Sequence, residues 1–502
     1  MKKFASILLT LVMILSLTGS IFAAETYTIY LQGNSDISTF ALTTARSYNV
    51  YQIFIGDVEG KTLSNVKWGA NGTGTGAVDA AVLTELTALT KASDTAKLDA
   101  ITKYVDFSKA AYSTIEVGGS LSGVPAGYYL LKDTTTLPEG QEYGTHLVMV
   151  VGDTTITPKV GEVESEKKVK DINDTNDTAE TPQQWQDSAD HDIKDTVYFQ
   201  LSGTVSDNYA NFKTYYYCFH DTLSAGLTFN SESVKVYVVN FNEAGEAVTT
   251  DVAADQYTVV TTGLADGCTF EVEFTDLKDI SAVNADSKIY VEYTAILNKN
   301  AVLGSAGNPN TMYLEYSNNP NASGEGESDD NTGKTPVDKV IVFTYMVVVN
   351  KVDGSTRDPL TGAGFTLYKK NSNGDYTAIG KEIKGDNLTT FEWKGLDDGD
   401  YRLVETTTPA GYNTMAPIEF TISAEHDIEA ADPKLNELNG GVLGTGVVDT
   451  GAITREIENN RGTVLPETGA EGTVMFITVG AILATIAAVF MITRKKMSIY
   501  ED

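Results

Sequence analysis

Short runs in which apolar and polar side chains alternate residue by residue recur through most of this 502-residue chain. Val234-Lys235-Val236-Tyr237-Val238, Thr269-Phe270-Glu271-Val272-Glu273-Phe274 and Lys288-Ile289-Tyr290-Val291-Glu292-Tyr293 are the clearest. A period of two sends successive side chains to opposite faces of a strand, so each run can bury one face and wet the other. Rich in Tyr, Val and Thr and broken by Gly, Asn and Asp turns, such runs predict a mainly β chain built of sandwiches. One helical stretch interrupts them at 77–105, where Val82, Leu83, Leu86, Leu89, Leu98, Ile101 and Val105 keep helical spacing. Two cysteines, Cys218 and Cys268, are too few for a disulfide framework in a chain this long. They either pair within one domain or stay buried as small apolar side chains.

The ends differ from the middle. Lys2-Lys3, an apolar segment from Ile7 to Leu17 and small residues up to Ala23-Ala24 have the order of a secretory signal peptide cleaved near Ala23 or Ala24. At the other end Leu465-Pro466-Glu467-Thr468-Gly469 precedes an uncharged stretch, Val474 to Thr493, and then Arg494-Lys495-Lys496. That stretch suits a helix of about 20 residues crossing a hydrocarbon core of about 30 Å. The basic cluster stays cytoplasmic by the positive-inside rule. The length in between suits about three domains. Two polar segments, 171–195 and 318–336, read as loops or linkers, the second between domains and the first interrupting the second domain near its start. A formal net charge of −32 argues against nucleic acid as a partner. No Gly-rich phosphate loop, metal-ligand spacing or Ser/His/Asp set points to a turnover site, a metal or a cofactor, and His220 reads as a surface or hydrogen-bonded strand residue.

The tail resembles the cell-wall sorting signal of Gram-positive surface proteins. That implies cleavage between Thr468 and Gly469 by a sortase and transfer of the Thr468 carboxyl to an amine. Further upstream, Val348-Val349-Asn350-Lys351-Val352-Asp353, Pro359 to Tyr368 and Gly399-Asp400-Tyr401-Arg402-Leu403-Val404-Glu405-Thr406 resemble the collagen-adhesin B-type domains of Gram-positive pilins. The resemblance implies an intramolecular isopeptide bond between Lys351 on the first strand and Asn459 on the last, promoted by Glu405. Asn460 is the adjacent alternative, and alternation lets only one of the two face inward. The chemistry is physically reasonable. Burial disfavours an ammonium and frees the amine. A protonated Glu beside the amide can shuttle protons as ammonia leaves, and folding supplies a high effective molarity. The alternative for Lys351 and Glu405 is an ordinary, partly buried ion pair.

The middle of the chain resembles the second domain of backbone pilins. Glu166-Lys167-Lys168-Val169 opens it, Phe219-His220-Asp221-Thr222-Leu223 lies inside and Tyr313-Leu314-Glu315-Tyr316-Ser317-Asn318-Asn319-Pro320 closes it. The implied set is Lys167, Asp221 and Asn318, with Asn319 as the alternative Asn and Lys168 turned to solvent. Tyr48 to Asp57 resembles the N-terminal domain of the same proteins. Gly127-Tyr128-Tyr129-Leu130-Leu131-Lys132-Asp133 has the outline of the Glu-bearing box with Lys132 in place of the acid, so no internal bond is expected there. Lys159 follows Pro158 at the end of this domain. In shaft pilins a Lys so placed receives the Thr carboxyl of the next subunit.

The expected architecture is therefore a signal peptide (1–24), a helix-containing N-terminal domain (25–161) and a middle isopeptide-forming domain (162–334). A collagen-adhesin B-type domain (335–463) and a sorting signal with a transmembrane helix (464–502) follow. The sandwiches are immunoglobulin-like, of the collagen-adhesin A and B types. The expected function is the non-enzymatic shaft subunit of a surface pilus, joined from Thr468 to Lys159 and anchored to the cell wall. Its expected partners are identical subunits, pilin-type and housekeeping sortases, peptidoglycan and minor pilins, and no cofactor is expected. The alternatives are a monomeric wall-anchored adhesin that binds a host ligand, and a secreted wall enzyme.

Overall fold

The structure, a computed structural model, describes residues 25–462 apart from 34–44, 93, 159–160, 178–183 and 321–330, together with 483–485 and 487 in the tail. The signal peptide, Lys159 and the whole of Leu465 to Gly469 lie outside the described residues. Among the described residues no helix is long and apolar enough to cross a membrane.

Three β-rich units follow one another. In the first, the strand Ser47–Glu59 is central to a five-stranded sheet, flanked by Thr62–Trp68 and Gly127–Asp133. A smaller sheet pairs Thr26–Leu31 in parallel with Thr154–Ile156. The helical stretch read at 77–105 is present but divided into Ala80–Ala88, a 3-10 turn Leu89–Lys91 and Asp94–Thr102. Ala92 is extended there, which ends the turn and lets Leu86, Ile101 and Val105 all reach the core.

The middle unit is a sandwich of a six- and a seven-stranded sheet. Its strands behave as the alternation requires: along Lys288–Leu297, residues Ile289, Val291, Tyr293, Ala295 and Leu297 are buried and their neighbours are partly exposed. Phe199, Phe219 and Phe270 are fully buried between the sheets. Burying each such side chain contributes about 1.5–3 kcal/mol of apolar transfer. Asp338–Phe343 pairs with Asn308–Ser317 and so belongs to this sandwich. The last sandwich starts only at Tyr345–Asp353, later than the 334/335 boundary read from composition. The segment 184–195, read as loop, contributes short strands: Trp185–Gln186 pairs with Ser165–Lys170 and Ser188–Asp190 with Asp338–Phe343. Cys218 and Cys268 are both buried and unpaired.

In the C-terminal unit Tyr345–Asp353 lies between Thr390–Leu396 and Ala452–Asn459, and it runs parallel to the latter, its own closing strand. Gly399–Thr407 sits in the facing sheet. First and last strands are thus neighbours, which a parallel pair permits only because the rest of the domain forms the crossover.

Candidate functional site

Alternation on two parallel strands builds the C-terminal constellation. Lys351 is opposite Ile457 and Asp353 opposite Asn459, and both Lys351 and Asn459 point into the domain. Lys351 Nζ donates to Asn459 Oδ1 at 2.6 Å and to the Ile457 carbonyl at 3.2 Å. Asn459 Nδ2 donates to Glu405 Oε1 at 2.7 Å, and that oxygen lies 3.8 Å from Lys351 Nζ. The Met415 amide, at 2.9 Å, fixes the other Glu405 oxygen. The Lys351 and Glu405 side chains are fully buried, and Asn460 is exposed. Burial pushes the Lys351 ammonium down to about 8, although the nearby Glu405 charge opposes the shift. Amine, carboxamide and acid are therefore in mutual contact in a buried core, the geometry that amide exchange between Lys and Asn requires.

The middle constellation spans the two sheets. Lys167, wholly buried, is hydrogen-bonded to Asp221 Oδ2. Its Nζ also donates to the Tyr293 hydroxyl at 3.0 Å, and that hydroxyl donates to Asp221 Oδ2 at 2.9 Å. Desolvation lowers the Lys167 pKa and raises that of Asp221, although each group's charge opposes the other's shift. Lys168 faces away from the core, yet it is covered rather than free, with Asp187 at 2.7 Å and Glu429 of the last domain at 3.1 Å.

Asn318 does not join this group. Asp221 is opposite Met312 in the sheet, and Asn318 lies six residues further along, roughly 20 Å at about 3.3 Å per residue. Its backbone is engaged at the junction with the first domain, accepting from the Tyr143 amide at 2.8 Å. The Asn at the site is Asn310, fully buried, whose Nδ2 donates to the same Tyr293 hydroxyl at 2.7 Å. Among the described residues Asn310 Oδ1 and Asp221 Oδ1 have no hydrogen-bond partner. A signal for Asn310 was available: it occupies an inward position of an alternating strand, in register with buried Met312, Leu314 and Tyr316. Nothing in the sequence points to Tyr293 as the common hydrogen-bonding centre.

In the first domain Arg46 pairs with buried Asp133 at 2.6 Å, and Lys132 lies on the other side of the strand, with its Nζ 5.1 Å from the Phe107 ring centroid. Beside Gly161, Glu142 of the first domain is buried against the middle domain. Tyr215 donates to it at 3.0 Å, Ser206 also donates, and a Cβ on Gly161 would collide with it. Burial pushes Glu142 up to about 8 from 4.5. The unfolded chain therefore releases this proton at lower pH than the folded one, and stability falls as pH rises between those two values. We expect the unfolding midpoint of the wild type to drop between about pH 5 and pH 8 and that of Glu142→Gln to lose most of this slope. Equal slopes in both chains would remove Glu142 as the cause.

His220 is buried and hydrogen-bonded rather than exposed, 3.1 Å from Asp266 and stacked on Tyr313. Asp266, Cys268 and Glu271 gather around it.

Residues 345–434 match the SpaA prealbumin-like fold domain, and 457–498 match the LPXTG cell-wall anchor motif. Over 206 residues the chain is 29% identical to the trypsin-resistant surface T6 protein of Streptococcus pyogenes serotype M6, a match that spans 38% of this chain and 35% of that relative's length. The T6 backbone pilin of serotype M6 Streptococcus pyogenes superposes with a TM-score of 0.54 at 17% identity, over 89% of this chain and all of that one. The full-length major pilin SpaD of Corynebacterium diphtheriae gives 0.49 at 16% identity, over 88% and 98%. The anchor match places the chain at the cell wall, and the superposition gives it the tandem-sandwich architecture. The chain thus carries an LPXTG cell-wall anchor motif behind a SpaA prealbumin-like domain, and it has the fold of the T6 backbone pilin.

Proposed function

We propose that this chain is the repeating shaft subunit of a covalent surface pilus, joined by a sortase through Thr468 of one subunit and Lys159 of the next. Two internal Lys–Asn isopeptide bonds lock each subunit. The observation that carries the reading is the buried Lys351–Asn459–Glu405 set, which connects the first and last strands of the domain next to the anchor. Tension entering near Asn459 would pass through a covalent bond into Lys351 and bypass most of the sandwich.

The proposed step at that site balances simply. Lys351 gives up a proton to Glu405, and the neutral amine attacks the Asn459 side-chain carbonyl carbon. As the new C–N bond forms, the amine's second proton and the one held by Glu405 pass to the Asn459 side-chain nitrogen, and the old C–N bond breaks to release it as ammonium. The neutral amine is accessible because burial has already brought Lys351 to about 8, and the low-dielectric site holds the reactants at high effective molarity. In the middle domain we assign the parallel roles to Lys167, Asp221 and Asn310, with Tyr293 orienting all three. Each reaction occurs once per chain. The protein is thus a sortase's substrate and a structural element, and the last subunit alone would be passed to peptidoglycan.

Lys159→Ala in the native host tests the polymer. We expect the ladder of high-mass species on a denaturing gel to collapse to monomer while the chain still reaches the wall. An undiminished ladder would exclude this lysine as the acceptor, and a wild-type chain that forms no ladder would favour the monomeric adhesin.

A further inference from the structure

The middle and C-terminal sandwiches meet over a concentration of Asp side chains that neither isopeptide site uses. Lys369 neutralises one side of it, with its Nζ 2.6 Å from Asp192 and 3.2 Å from both Asp174 and Asp397. Beyond Asp397, no further Lys or Arg is paired with the other side among the described residues. Asp190, Asp397 and Asp398 each present an oxygen within 4.8 Å of the others'. Asp190 is 2% exposed, and its Oδ2 has no hydrogen-bond partner among the described residues. Its other oxygen faces His426 Nε2, at 3.9 Å. Asp171 closes the group, 3.6 Å from the same His426 nitrogen, and the Asn173 amide holds Asp398 in place.

Carboxylates this close and this dry repel one another and lose their hydration, so a group with one Lys on its flank needs further positive charge at its centre. The donors are oxygens, with a single imidazole at the edge and no thiolate. That set suits a hard cation such as Ca²⁺, which takes six to eight oxygen ligands at about 2.3–2.6 Å, better than it suits zinc or copper.

We propose that Asp171, Asp190, Asp397 and Asp398 bind one Ca²⁺ and that the ion clamps the middle domain to the C-terminal domain. Asp171 and Asp190 come from the middle of the chain, whereas Asp397 and Asp398 lie on the turn just before the strand that carries Glu405. The ion would therefore act across a joint already bridged by the hydrogen bond from the Asp397 amide to Asp192, at 2.9 Å, and by ion pairs such as Lys369 with Asp192, at 2.6 Å.

The full chain, held in detergent and stripped with EGTA, is titrated with CaCl₂ by calorimetry and followed by thermal unfolding. We expect one Ca²⁺ per chain with Kd at or below about 1 mM, in the range of extracellular calcium modules. The unfolding midpoint should rise by ~3 °C or more at saturating ion. Asp190→Asn should weaken uptake at least ~10-fold while leaving the EGTA midpoint unchanged or higher, because it removes an uncompensated buried charge. Asp398→Asn, nearer the surface, serves if that variant fails to fold. No uptake by the wild type, an undiminished response in the variant that folds, or a response to Mn²⁺ but not to Ca²⁺ would each overturn the proposal.

Discussion

Glu405→Ala is expected to yield a chain whose C-terminal domain keeps its ammonia, about 17 Da heavier than the cross-linked form after allowing for the substitution itself. Lys351 and Asn459 remain adjacent, but nothing is left to take the amine's proton or to return one to the leaving group. The energetic effect should be large. The proposed bond would join residues 108 apart, and a cross-link closing a loop of that size removes denatured-state entropy worth about 4.7 kcal/mol. For a domain of this size that is a drop in melting temperature on the order of 15–20 °C. Wild-type mature chain should show two ammonia losses. A wild-type mass with none would sink the self-crosslinking reading, and a Glu405→Ala chain that still loses both would remove Glu405 from it.

The second large effect separates two asparagines. Asn310→Ala should abolish the ammonia loss of the middle domain and lower its stability by about 5 kcal/mol. It deletes the acceptor and leaves Lys167 buried beside Asp221 without a covalent partner. Asn318→Ala should retain the full mass loss, because its side chain lies roughly 20 Å along the strand from Asp221. Peptide mapping of the two variants reads this directly. A Lys167 cross-link that persists in Asn310→Ala and disappears in Asn318→Ala would reverse the assignment.

The two sites differ in the kind of information that specifies them. In the C-terminal domain Lys351, Glu405 and Asn459 all lie on strands whose alternation is plain, and Asn459 rather than Asn460 faces inward for that reason alone. The middle domain has three buried Asn on or just past one strand, Asn308, Asn310 and Asn318, and alternation cannot choose among them. The choice depends on which point of that strand crosses Lys167 from the opposite sheet, which is a matter of register between sheets. The same limit hid Tyr293. It reaches the site because it pairs with Phe199, whose strand in turn pairs with the one that carries Lys167.

By itself the sequence determined the β-sandwich class, the helix-bearing first domain, the two lysines that enter the cores and the anchor at the C-terminus. All of these are local: periods of two and 3.6, a run of apolar residues and short motifs carry them. The tertiary structure decided which Asn joins the Lys167 site, where the middle sandwich ends, and that Asp171 and Asp190 gather beside Asp397 and Asp398. Those contacts join residues far apart in the chain, and only the packing of one sheet or domain on another brings them within a few ångströms.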